Sequence, residues 1–171
     1  MRIFYLIVII LIIFLLQVTF LDYFIFLNIM PDLLLVLLVL VSLRMSFSSW
    51  PIVLGLIAGL LKDASGIGGF GLNSLLFPFW CFLVLNLSRK ITLENNYLQA
   101  LLVFLVALLH NIITGLAVIY MGRYILPGIF LRIVFLDSLY TAITLPLLTR
   151  VINPLFKEYY PEDKDEPLGD Y

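Results

Sequence analysis

The chain has 171 residues, 63% of them hydrophobic and 12% charged, with a net charge of −1 and a mean hydropathy of +1.15. A soluble domain is about 45–50% apolar and about 25% charged, so composition excludes a water-covered globule and leaves an all-α membrane protein of one domain. Charge is unevenly placed: residues 157–171 hold two lysines and six acids, a net of −4 that leaves +3 for the rest, and no basic stretch suits a nucleic-acid partner.

The first apolar run covers residues 3–21 and is interrupted only by Gln17 and Thr19. Arg2 ahead of it imitates a signal peptide, but residues 16–23 offer no small-residue cleavage site, so an uncleaved first helix is expected. A turn with Asp22, Asn28 and Pro31 leads to two shorter runs, 33–43 and 51–61. At 1.5 Å per residue each reaches only about 17 Å, against a hydrocarbon core of about 30 Å. They form either a re-entrant hairpin or two spans completed by Met45, Phe47 and Trp50, and spans are the expected arrangement. Further helices follow at 72–87, 98–120 and 129–152. The result is a compact bundle of about six transmembrane helices over residues 1–156, with 157–171 a disordered acidic cytoplasmic tail.

Six spans place Arg2, Arg44, Arg89, Lys90, Arg150, Lys157 and Lys164 on one side and Lys62, Arg123 and Arg132 on the other. The excess of lysine and arginine marks the cytoplasmic side, so both termini are expected there. Tyr97, Tyr120, Tyr124 and Trp50 stand where interfacial aromatic anchors belong. Cys81 is the only cysteine and lies in an apolar run, which makes it a packing residue rather than a reactive thiol.

Residues 66–71 read Gly-Ile-Gly-Gly-Phe-Gly, a literal match to a dinucleotide-binding pattern. That pattern needs a strand before it and a soluble βαβ unit around it, and here it joins two membrane helices. Gly66, Gly68, Gly69 and Gly71 are better explained by a tight turn with positive φ angles. Gly55 and Gly59 form a G-x-x-x-G, with Asp63 continuing the same helix face. Small residues let two backbones approach in lipid. The face suits either packing inside the bundle or contact with a second copy or another protein. Asp63 is placed to bond the amides of the glycine turn.

Ionisable groups within the membrane are functional candidates by default. Arg132 lies close enough to a helix end to snorkel outward. His110 and Asp137 have matching depths on helices five and six, and a contact between them is expected. Asp137 bonded to Asn111 or Thr114 is the alternative. No metal motif, nucleophile elbow or paired aspartates appear, so neither catalysis nor a cofactor is expected.

The segment from Gly55 through Gly59 to Asp63, followed by Gly71-Leu72-Asn73-Ser74-Leu75, resembles the MreD family of bacterial rod-shape-determining membrane proteins. Pro31-Asp32 opening an apolar run, the length, and the basic Arg89-Lys90 step fit the same pattern. Pro78-Phe79-Trp80-Cys81 and the acidic tail depart from it. The resemblance implies a non-enzymatic scaffold of the cell-elongation machinery in the inner membrane, with membrane lipid around it. It also implies binding to MreC and indirect association with MreB, RodA and a class B penicillin-binding protein. The family is similar in fold to the substrate-capture subunits of energy-coupling-factor transporters, so a vitamin-type transporter subunit is the alternative. Those subunits carry alanines at four-residue spacing on helix 1; here helix 1 has neither alanine nor glycine.

Overall fold

The computed structural model describes residues 2–20, 31–45, 48–65, 71–90, 95–122 and 126–157. Their regular structure is entirely helical: α1 Arg2–Phe20, α2 Leu33–Arg44, α3 Trp50–Ala64, α4 Leu72–Ser88, α5 Asn96–Tyr120, α6 Pro127–Ile143 and α7 Leu145–Lys157. Local chemistry sets the helix starts. The Asp32 carboxylate accepts from the Leu35 amide at 3.2 Å and the Asn95 side chain accepts from the Tyr97 amide at 3.0 Å, each satisfying an amide that no helix carbonyl can reach. Pro51 and Pro127 sit in first turns, where a missing N–H costs nothing.

α6 and α7 are two halves of one bent rod. Pro146 cannot donate to the carbonyl of Ala142, and the Thr144 amide instead bonds the carbonyls of Tyr140 and Thr141 at 3.3 and 3.2 Å. The helix run of 129–152 expected from sequence lies within this rod, which continues to Lys157 and is broken at Thr144.

The short α2 is the axis of the bundle. Every residue from Leu34 to Ser42 is buried, and α1, α3, α4, α5, α6 and α7 all pack against this helix. A helix apolar on all sides belongs in such a place, and its 12 residues span only about 18 Å. Two bonds fix its register against the last rod. The Asp32 amide donates to Thr141 Oγ1 at 3.1 Å, and Arg44 Nη2 donates to Asn153 Oδ1 at 2.9 Å. Both pairs are separated by 109 positions, so α2 and the last rod run in the same direction.

Around this axis, the closest pairings join consecutive antiparallel helices, α3 with α4 and α5 with α6. The outer surface is apolar: Leu11 and Leu15 of α1, Leu105 and Leu109 of α5, and Leu131 and Phe135 of α6 are all more than 40% exposed. Water does not tolerate an apolar surface of that extent. α5, and the continuous run Pro127–Pro154, are long and apolar enough to cross a membrane.

Candidate functional site

Besides the Arg44–Asn153 bond, three polar junctions among the described residues join helices. The first ties α3 to α4. Asp63, in the last turn of α3, accepts at Oδ1 from the Asn73 amide at 3.2 Å and from Asn73 Nδ2 at 2.9 Å. At Oδ2 it accepts from the Ser74 amide at 2.8 Å and from the Ser74 hydroxyl. A carboxylate at a helix N-terminus meets both unsatisfied amides and the positive end of the dipole. Asp63 thus caps α4 from outside its own helix. Among the described residues its targets are Asn73 and Ser74, in the first turn of α4. Gly71, just before α4, has a φ of 84°, the left-handed backbone that favours glycine; Gly66, Gly68 and Gly69 lie outside the described residues.

Gly55 and Gly59 face the same helix. A Cβ at Gly59 would stand 2.5 Å from the Asn73 carbonyl oxygen and 2.6 Å from Ser74 Cα. One at Gly55 would lie 2.9 Å from Cys81 Sγ and 3.1 Å from Pro78 Cα. The G-x-x-x-G face is therefore an internal backbone-to-backbone contact. Its partner surface includes the Pro78–Cys81 stretch.

The second junction sits at the start of α2, where Asp32 is 7% exposed. Its Oδ2 pairs with Lys62 Nζ, and His110 Nε2 lies 4.0 Å from the same oxygen. Lys62 Nζ stands 5.1 Å from the centre of the Phe77 ring, within cation–π range, and the same ring packs on His110 with centroids 5.4 Å apart. With Thr141 on the Asp32 amide, α2, α3, α4, α5 and α6 each give one residue. Lys62 and Asp63 are neighbours in sequence, but a helix turns about 100° per residue, so one points to Asp32 and the other to α4.

The third junction lies between α5 and α6, and it corrects the expected pairing of His110 with Asp137. Asn111 Nδ2 donates to Asp137 Oδ2 at 2.9 Å and to Ser138 Oγ at 3.2 Å, while His110 faces Asp32. The matched depth was right and the helix face was wrong, since His110 and Asn111 differ by that same turn of about 100°. Asn111, the alternative partner, holds Asp137.

Sequence reasoning passed over Asp32 and Lys62 as site residues. The signal was present: an acid that opens a helix apolar on every face must be buried with it, and buried charge requires a partner. Thr141, and the Gly115–Phe130 contact in which the ring lies where a Cβ would stand, carried no comparable mark. Among the described residues no cluster of three or more His, Cys, Asp or Glu side chains is placed to hold a metal.

A family model described as rod shape-determining protein MreD matches residues 1–153 of the 171. No curated protein and no solved structure matches the chain. The match takes in every junction described above, from Asp32 to Thr141, and the chain belongs to the MreD family of rod shape-determining membrane proteins.

Proposed function

We propose that the protein is a multi-pass scaffold of the cell-elongation machinery, set in the bacterial cytoplasmic membrane with both termini in the cytoplasm. It binds MreC, and through that complex bears on MreB, RodA, a class B penicillin-binding protein and the placement of peptidoglycan synthesis. It works by holding partners and turns nothing over. Membership of a shape-determining family carries this reading. The polar chemistry supports it: Asp63, Asp32 with Lys62, and Asn111 with Asp137 are each engaged in joining helices. The bond from Arg44 to Asn153 brings the basic end of α2 to the same end of the bundle as the end of α7, as a cytoplasmic C-terminus requires.

The transporter reading makes a different demand on α1. Its Phe4, Tyr5, Ile12 and Leu15 are all more than half exposed, and such bulky side chains keep another backbone from the close approach that small residues permit. Affinity purification of the tagged chain from its own membranes separates the two readings. Recovery of MreC is expected. Recovery of ABC-type ATPases without any elongation protein would overturn the scaffold and install the transporter subunit, with its likeness to substrate-capture proteins. A periplasm-only reporter active at Tyr171 would overturn the orientation.

A further inference from the structure

The central apolar cluster stops part-way along the α5–α6 hairpin. α5 gives it Val103, Val106 and Ala107, and α7 gives it Leu145, Leu148 and Ile152. Beyond His110, only the half-buried Ile113 of α5 packs against it, and from α6 only Ala142, near the bend. Val134 is buried but lies outside that cluster. Residues 111–120 and 127–140 therefore stand largely off the core, yet they are tied closely to each other. The Phe130 ring covers Gly115, and Asn111 reaches both Asp137 and Ser138.

At the level where the hairpin leaves the core, both helices carry the same weakness. Thr114 Oγ1 donates to the carbonyls of His110 and Asn111 at 2.9 and 3.3 Å. Ser138 Oγ donates to the Val134 carbonyl at 2.6 Å, and Thr144 Oγ1 to the Thr141 carbonyl at 2.7 Å, beside the break. Hydroxyls that bond back into their own helix bend it and weaken its ladder. At this same level Asp32 grips the hairpin, by its amide on Thr141 and its carboxylate opposite His110, while Lys62 holds the carboxylate in place.

We infer that residues 111–120 and 127–140 form an arm that moves as one body about this level, and that Asp32, positioned by Lys62, is the latch that fixes its resting position. The inference concerns the chain alone and stands whichever partner the scaffold holds. Asp32→Asn isolates the latch. Asparagine still caps α2, but it leaves Lys62 without its counter-ion and His110 without a facing charge. Thr141→Val removes the other grip at nearly constant shape.

Pulsed electron resonance distances test it in the full chain with Cys81→Ser. Spin labels go on Leu60 and Leu116, more than half exposed on α3 and on the arm. A second pair on Leu83 and Leu101 spans α4 and the core-bound half of α5. The unsubstituted latch should give a single main distance for each pair. Asp32→Asn and Thr141→Val should each add a longer-distance population to the Leu60–Leu116 pair and leave Leu83–Leu101 unchanged. An unchanged Leu60–Leu116 distribution in both variants would overturn the latch, and equal broadening of both pairs would replace the arm by general loosening. If Asp32→Asn does not fold, Thr141→Val decides alone; failure of both to fold would make the junction a folding determinant and end the proposal.

Discussion

The two antiparallel hairpins of this bundle are held by opposite means. α3 and α4 meet backbone to backbone across Gly55 and Gly59, and one carboxylate closes the end of the contact. α5 and α6 meet through side chains: the Phe130 ring over Gly115, Phe104 edge-on to Phe135 at 5.8 Å, and the amide of Asn111 on Asp137. A backbone contact has no rotamer with which to yield, whereas rings and amides can shift. The first hairpin should therefore be intolerant of substitution and the second forgiving.

The largest effect is expected where that rigidity is greatest. In Gly59→Ala the new methyl carbon meets a main-chain carbonyl at 2.5 Å, which is relieved only by pushing α3 and α4 apart. Overpacking costs about 1–3 kcal/mol and occasionally more, and Gly59→Ala belongs at or beyond the upper end. Gly55→Ala belongs at the lower end, because its nearest neighbour is the Cys81 sulfur at 2.9 Å, with backbone no nearer than 3.1 Å. Removing glycine from a helix also returns about 0.5–1 kcal/mol. Size-exclusion profiles of the detergent-solubilised variants give the ranking, and a monodisperse Gly59→Ala protein with wild-type melting would break the contrast between the hairpins.

Asp63 comes next. Asp63→Ala removes the acceptor of four bonds from Asn73 and Ser74 at the start of α4. A lost cap costs about 0.5–2 kcal/mol, and bonds to a charged acceptor are worth about 1.5–3 kcal/mol, so a loss of about 2–3 kcal/mol is expected in thermal melts. Asp63→Asn keeps one oxygen and should recover part of it. If the two variants melt alike, the charge rather than the geometry holds the clamp.

The same contrast explains what could be read without coordinates. Helix positions followed from apolar runs, and a close backbone contact at Gly55 and Gly59 from glycine spacing, because backbone approach needs small residues; that α4 is the partner did not. The bend at Thr144 had Pro146 as its mark, hidden inside a run apolar enough to look continuous. The α5–α6 contact could be placed in depth but not in azimuth. Depth accumulates at about 1.5 Å per residue and tolerates a small error in where a helix begins. Facing does not, since one residue turns the side chain by about 100°. Asp32 was visible only as the acid that, with Pro31, opens an apolar run; that it gathers Lys62, His110 and Thr141 depended on which helices surround α2, and no local pattern records that.

The smallest effect expected is the coupling between Asn111 and Asp137, and it bears most directly on the corrected pairing. Hydrogen bonds between membrane helices average about 0.6 kcal/mol, with about 1–2 kcal/mol at the high end, because the separated helices find other partners. A double-mutant cycle of Asn111→Ala and Asp137→Ala, read by melting in detergent, should return a coupling energy within that range. The parallel cycle of His110→Ala with Asp137→Ala should be additive, since His110 faces Asp32 and Phe77 instead. Shared overall loosening would make both cycles non-additive to the same degree, so the difference between them is the quantity that counts. A larger coupling for His110 than for Asn111 would restore the pairing that matched depth first suggested and turn α5 by one residue.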